Sequence, residues 1–154
     1  MNHVEMMQLA EAEAAKSVCK RAQVGAVVVT VMGKAYTGWN LNAHDPSGCC
    51  EDENGKTLPD VIHAEDHALG FLYDPSESFG AVMYVTRQPC INCAKLIVNA
   101  GIKAVYYRDK DDKVDGVEHL LAHGVIVNSG WLKEQMRART LERVQRTWAD
   151  RWQE

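Results

Sequence analysis

Two short stretches of this 154-residue chain bring together side chains able to bind a metal and move protons, His63-Ala64-Glu65 and Pro89-Cys90-Ile91-Asn92-Cys93. One imidazole and two thiolates suit zinc, and three protein ligands leave a fourth position for water, the arrangement of a catalytic rather than a structural site. Water in such a position loses a proton near neutral pH, its pKa falling from about 15.7 to around 7. Glu65 follows His63 by two residues, is free to face a substrate, and is the candidate proton carrier. Taken alone, the Cys-x-x-Cys pair reads equally as a redox couple or half of a structural zinc knuckle. Its occurrence together with His-x-Glu is what favours catalysis. His67 lies one helical turn after His63, as in a zinc protease, but that motif requires Glu directly after the first His, where this chain has Ala64. His67 is therefore read as a packed or substrate-side residue.

Both stretches should open helices, and that placement matters electrostatically. A helix N-terminus presents unpaired N–H groups and the positive end of the helix dipole, which favour the thiolate that zinc requires. Cys90 and Cys93, three apart, face the same way on a first turn, and His63 would come from a neighbouring helix.

The remaining elements follow from periodicity. Residues 4–20 lack Pro and Gly, with Met7, Ala10, Ala14 and Val18 at helical spacing, and predict a first helix. The β-branched run 25–30 predicts a buried strand, and 34–40 its hairpin partner across Met32-Gly33. Residues 41–60 carry only turn chemistry, and so long a structureless stretch is more often functional or metal-tied than idle. A second helix is predicted over 63–73, a third strand over 80–86, a third helix over 90–99, a fourth strand over 104–107, a fourth helix over 114–122 and a fifth strand over 125–127. The intervening helix requires strands four and five to be parallel. From Trp131 onward, Leu132, Met136, Leu141, Val144, Trp148 and Trp152 predict an amphipathic tail helix over about 130–152. No repeat or linker interrupts the chain, so 1–154 is expected to be one domain.

Composition narrows the function. Hydrophobic content of 46% with 25% charged residues fits an ordinary globular protein. No apolar run approaches the roughly 20 residues needed to span a bilayer, and no signal peptide is recognisable, so a cytoplasmic protein without a membrane partner is expected. A net charge of −4 argues against long nucleic acid, which binds through clustered cations, and favours a small substrate. The arginines of the tail, including Arg137, Arg143 and Arg146, are balanced by nearby acids and read as a solvated face. Five cysteines, an odd number, are expected to be reduced or metal-bound rather than to form a disulfide framework.

The chain resembles the zinc-dependent cytidine and deoxycytidylate deaminase superfamily, and most closely its deoxycytidylate (dCMP) deaminases. The likeness runs from about Cys19 to Val127 and is carried by residues 19–27, Gly38-Trp39-Asn40, His63-Ala64-Glu65, Tyr84-Val85-Thr86 and Pro89 through Ile102. It implies a three-layer α/β/α fold on a five-stranded mixed sheet and hydrolysis of dCMP to dUMP, which feeds thymidylate synthesis. In that chemistry Glu65 shuttles protons as zinc-activated water attacks C4, Asn40 contacts the nucleotide sugar, and the Ala64 backbone N–H meets the pyrimidine carbonyl. It also implies a homo-oligomer, commonly a hexamer. Some phage-type relatives carry a second, structural zinc tying the long loop to the first helix. Cys19 and Cys49 would suit it, with His44, Cys50 or Asp60 completing the set; the alternative is Cys19 as a small buried apolar residue.

Two departures bear on substrate. Leu41 to Pro46 replaces a Gly-Pro-rich loop that the family associates with dCTP and dTTP control, and His67 stands where the family commonly has Asn. Arg21 and Arg87 are candidates for the phosphate, each with a plain surface cation as its alternative. Rival activities on the same scaffold are deamination of 5-substituted dCMP, cytidine, guanine or tRNA adenosine. A parallel fifth strand argues against the free-cytidine type and the acidic balance against tRNA. A non-catalytic zinc-stabilised binding module is the reading outside enzymes, and Glu65 argues against it.

Overall fold

The run Gly25–Val29 (β1) is buried at every residue, as a strand covered on both faces must be. The computed structural model, which describes residues 2–45, 47–129, 137–138 and 141–146, builds a sheet outward from it. Ala35–Trp39 (β2) returns antiparallel after a turn at Gly33, whose φ of 85° suits a residue without Cβ. On the other side Val82–Arg87 (β3) is also antiparallel to β1, and Ala104–Asp109 (β4) and Ile126–Asn128 (β5) follow in parallel. The order is β2-β1-β3-β4-β5. The parallel pairs follow from their crossovers, Ile91–Asn99 (α3) between β3 and β4 and Asp115–Ala122 (α4) between β4 and β5.

Alternation along the strands divides the core into two faces. Val27, Val29 and Tyr84 pack with Val4, Met7 and Ala10 of His3–Ala14 (α1). Ala26, Val28, Met83 and Val85 pack on the opposite face with Ala64 and Ala68 of Ala64–Leu69 (α2), Ala94 and Ile97 of α3, and Leu120 of α4. Helices thus cover both faces, giving the expected α/β/α layers. Contact is closest at Gly25 and Gly38. A methyl group on Gly25 would overlap the α1 backbone at Ala10, and one on Gly38 would overlap the α2 backbone at Ala68 and stand 2.9 Å from Ala64 O.

The first helix is shorter than its periodicity predicts. It ends at Ala14, with Lys16 N and Ser17 N closing tighter bonds to Glu13 O and Ala14 O, and Val18 is exposed. The chain leaves the helix because Ser17 Oγ donates to Asn40 O and Cys19 is drawn inward to Cys50. The second helix likewise stops at Leu69, ahead of a short 3-10 turn at Pro75–Ser78. The segment 41–62 is an anchored loop rather than a structureless one: Leu41 pairs with Ile62 and Glu51 with Thr57.

Cys19 and Cys50 form a disulfide across that loop. This corrects the expectation of reduced cysteines, which rested on compartment and count rather than on chain path. It also corrects the second-zinc assignment to Cys19 and Cys49. The sulfur of Cys19 is committed to Cys50, while Cys49 is exposed with its Sγ 3.0 Å from Glu51 O, so the two do not converge as metal donors. Most of the predicted tail helix lies outside the described residues; 137–138 and 141–146 are helical and exposed. Among the described residues no helix is long and apolar enough to cross a membrane.

Candidate active site

His63 and Cys90 each occupy the N-cap of a helix, α2 and α3 respectively, with extended backbone that aims the side chain back across the helix start. Cys93 follows one turn into α3, its N–H donating to Cys90 Sγ at 3.5 Å. The three side chains meet: His63 Nδ1 lies 3.1 Å from Cys93 Sγ and 3.6 Å from Cys90 Sγ, and all three donor atoms fall within 4.8 Å of one another. Tetrahedral zinc at ordinary bond lengths separates such donors by roughly 3.5–3.8 Å. Cys93 is buried whereas His63 and Cys90 are open to solvent, so the cluster is closed on the protein side and accessible on the other. Donor types, spacing and one-sided access all fit a catalytic zinc. Among the described residues it is the one group of three such donors.

Charge within the cluster is divided unevenly. Hydrogen bonding from Cys93 and then from His63 outweighs burial and brings the Cys90 thiol down to about 3. The Cys93 thiol is pushed strongly upward, first by its bond to that same Cys90 thiolate and then by burial. His63 is raised chiefly by the Cys90 sulfur beside it.

Glu65 sits on the first turn of α2, 4% exposed, and burial raises its carboxyl above the ordinary range. A carboxylate held beside the cluster is the group able to carry a proton between the attacking water and a substrate. Ala64, fully buried, is the first residue of α2, where a backbone N–H has no acceptor within the helix.

These residues share one cavity of about 220 Å³, lined by His63, Ala64, Glu65, Cys90 and Asn40 and by the charged Arg21, Glu51, Arg87 and Asp111. That volume suits a small molecule or a single inserted base. The cavity includes Asn40, but its amide also does structural work: Oδ1 accepts Val24 N at 2.8 Å and Nδ2 donates to Ala22 O at 2.7 Å. Those bonds bring segment 22–24 to the cavity and leave the amide a further N–H for a ligand. His67 faces Trp39 instead, its Nδ1 accepting the Trp39 N–H at 3.0 Å and its ring set edge-on to the indole at 4.6 Å. It ties α2 to the end of β2 and does not line the cavity. Cys19 and Cys50 do line it, as a disulfide.

Sequence reasoning missed Gln88, Glu51 and Asp111. Gln88 is buried, with Nε2 donating to Lys113 O and Oε1 accepting Asp111 N. Glu51 Oε1 accepts both Lys20 N and Arg21 N at 2.9 Å, pinning the long loop to the cavity wall. A polar residue directly before Pro89-Cys90 was the one available hint for Gln88; Glu51 and Asp111 carry no local signal, since their partners are remote in sequence.

A family model described as the cytidine and deoxycytidylate deaminase zinc-binding region matches residues 1–109. Among characterised relatives, deoxycytidylate deaminase of Mycobacterium phage D29 is 37% identical over 113 residues, 64% of this chain and 88% of that protein. Deoxycytidylate deaminase of Homo sapiens is 34% identical over 125 residues, 69% of this chain and 66% of that protein. Among solved structures, dCMP deaminase of cyanophage S-TIM5 in complex with dCMP and dUMP superposes with a TM-score of 0.74 at 41% identity, covering 80% of this chain and 92% of that one.

Proposed function

The chain belongs to the cytidine and deoxycytidylate deaminase zinc-binding family, and from that membership we propose that it hydrolyses dCMP to dUMP and ammonia as one deaminase domain spanning 1–154. The observation that carries the proposal is the convergence of His63, Cys90 and the buried Cys93, with His63, Cys90 and the buried Glu65 lining one small open cavity. Zinc held by those three donors would supply water activated near neutral pH. The chain's own residues then have separate tasks. Glu65 accepts the proton given up by the attacking water at its carboxylate, passes it to N3 of the cytosine ring and later supplies a proton to the departing 4-amino group. The hydrolysis balances: water adds oxygen and hydrogen, and ammonia leaves. On this reading the Ala64 N–H donates to the pyrimidine O2 and the spare Asn40 N–H to the sugar.

The proposal extends to a cytoplasmic homo-oligomer. Phe71, Tyr73 and Phe79 are 57%, 91% and 63% exposed, and their burial between copies would be consistent with that association. The test of activity follows the ultraviolet absorbance of dCMP, cytidine, dCTP and guanine with wild type and with Glu65→Ala, alongside zinc analysis of both. Turnover of dCMP that disappears in a variant still holding zinc supports the assignment. Equal rates in the two proteins overturn it.

A further inference from the structure

The cavity ends against an ion pair. Arg87 Nη2 lies 2.8 Å from Asp111 Oδ2, both line the candidate active site, and both also line a second hollow whose other charged residues are Asp109, Lys110 and Asp112. The pair is thus a partition between a site that fits one nucleotide and a neighbouring space richer in carboxylates than in cations.

Its frame is fixed by the sheet. The parallel register sets Arg87 opposite Asp109, and Gln88 N donates to Asp109 O at 2.8 Å. The buried Gln88 side chain then holds both Lys113 O and Asp111 N. Arg87 and Asp111 are therefore presented to each other by a braced backbone. The bond between them is itself weak, because the two side chains are 45% and 34% exposed, and pairs of that kind contribute little net stability. A phosphate dianion reaching the guanidinium competes readily with one carboxylate, since planar guanidinium binds phosphate by paired, charge-assisted hydrogen bonds. Position favours such an encounter: Arg87 is three residues before Cys90, so their Cα atoms are at most about 11 Å apart. That is the range separating the reacting end of a nucleotide from its 5′ end.

Resting on the dCMP reading, we propose that Arg87 receives the 5′-phosphate of the substrate and that Asp111 makes the pocket selective for a monophosphate. A second and third phosphate would have to pass the Asp111 carboxylate and enter the hollow bearing Asp112, where like charge opposes them, whereas Asp109 in the same hollow is already paired with Arg108 at 2.8 Å. Arg21, on another part of the cavity wall, would share the first phosphate but does not form the partition.

The experiment compares zinc-loaded wild type with Arg87→Ala, Arg87→Lys and Asp111→Asn on dCMP, dCTP and deoxycytidine at one low ionic strength. Binding of dUMP, dUTP and deoxyuridine is measured by calorimetry in parallel. Arg87→Ala should lower kcat/KM for dCMP about 10- to 100-fold more than for deoxycytidine, chiefly through KM, with the same loss in dUMP affinity. Arg87→Lys should recover part of that loss. Asp111→Asn should raise the ratio of dCTP to dCMP turnover, and of dUTP to dUMP binding, by about fivefold or more. Equal losses on dCMP and deoxycytidine in Arg87→Ala, or unchanged ratios in Asp111→Asn, overturn the proposal while leaving the dCMP reading intact. No turnover of any of the three substrates by wild type overturns both. Thermal melting of each variant separates altered recognition from a failure to fold.

Discussion

The disulfide between Cys19 and Cys50 gives a prediction whose size follows from chain topology. The bridge spans a sequence separation of 31 and joins the segment leaving α1 to the loop that leads into His63. Restricting an unfolded chain by a loop of that length stabilises the native state by about 3.7 kcal/mol in the chain-entropy model. Other ties cross the same gap, notably Glu51 to Lys20 N and Arg21 N and Ser17 to Asn40 O, and they persist in its absence. Cys50→Ser should therefore leave the fold intact but less stable by about 3–4 kcal/mol, a fall in melting temperature on the order of 10 °C for a chain of this size. Equilibrium denaturation of the air-oxidised protein, with and without a phosphine reductant, should give the same difference for wild type and none for Cys50→Ser. Cys49→Ser should change little, because that sulfur is exposed. Thiol titration of denatured, chelator-treated protein should find three free thiols before reduction and five after it. Five thiols beforehand, together with two zinc ions per chain, would refute the disulfide and return the pair to metal binding.

Other tests bear on the site. Glu65→Gln should keep zinc and a normal melting curve while turnover of dCMP falls by about 10² to 10⁴, the usual contribution of a positioned acid–base group. Gly38→Ala should destabilise the protein by about 1–3 kcal/mol and reduce activity as well, because the added methyl meets the backbone of the helix that carries Glu65; melting and turnover check it. His67→Ala removes the acceptor of the Trp39 N–H and should lower stability by about 1–3 kcal/mol in denaturant titrations, with zinc content unchanged. Zinc affinity should rise with pH, because zinc binds thiolates and the Cys93 thiol is pushed upward by its bond to Cys90 and by burial, so loading must displace protons. Calorimetry in buffers of different ionisation enthalpy should show proton release on loading.

The parts legible in the sequence are those whose determinants are local. His63 and Cys90 could be placed at helix starts because a helix boundary and a ligand spacing both lie within a few residues. The parallel fifth strand followed from a single intervening helix, and the buried β1 from its unbroken β-branched run. Prediction failed wherever an element's fate is settled by a distant partner. The periodicity of α1 continues beyond Ala14, but Ser17 and Cys19 are claimed by Asn40 and Cys50, more than twenty residues away. His67 reads in the sequence as a packed or substrate-side residue, and the backbone of Trp39 on a neighbouring strand settles it as packed, a choice the sequence leaves open because that partner is remote.

The same distinction separates reaction from substrate in this protein. The groups assigned to bond making come from two motifs, each continuous in sequence and each at the start of a helix, so their chemistry is written locally. The groups around the rest of the cavity come from five separated segments: 19–24, 40, 50–61, 87–88 and 111. Their meeting depends on the Gln88 brace, the β3–β4 register and the ties across the long loop. Changes in those supports can therefore shift which nucleotide is accepted without touching zinc or Glu65. Arg87 and Asp111 are where that separation is sharpest, because one stands three residues from a metal ligand while its partner arrives from beyond the next strand.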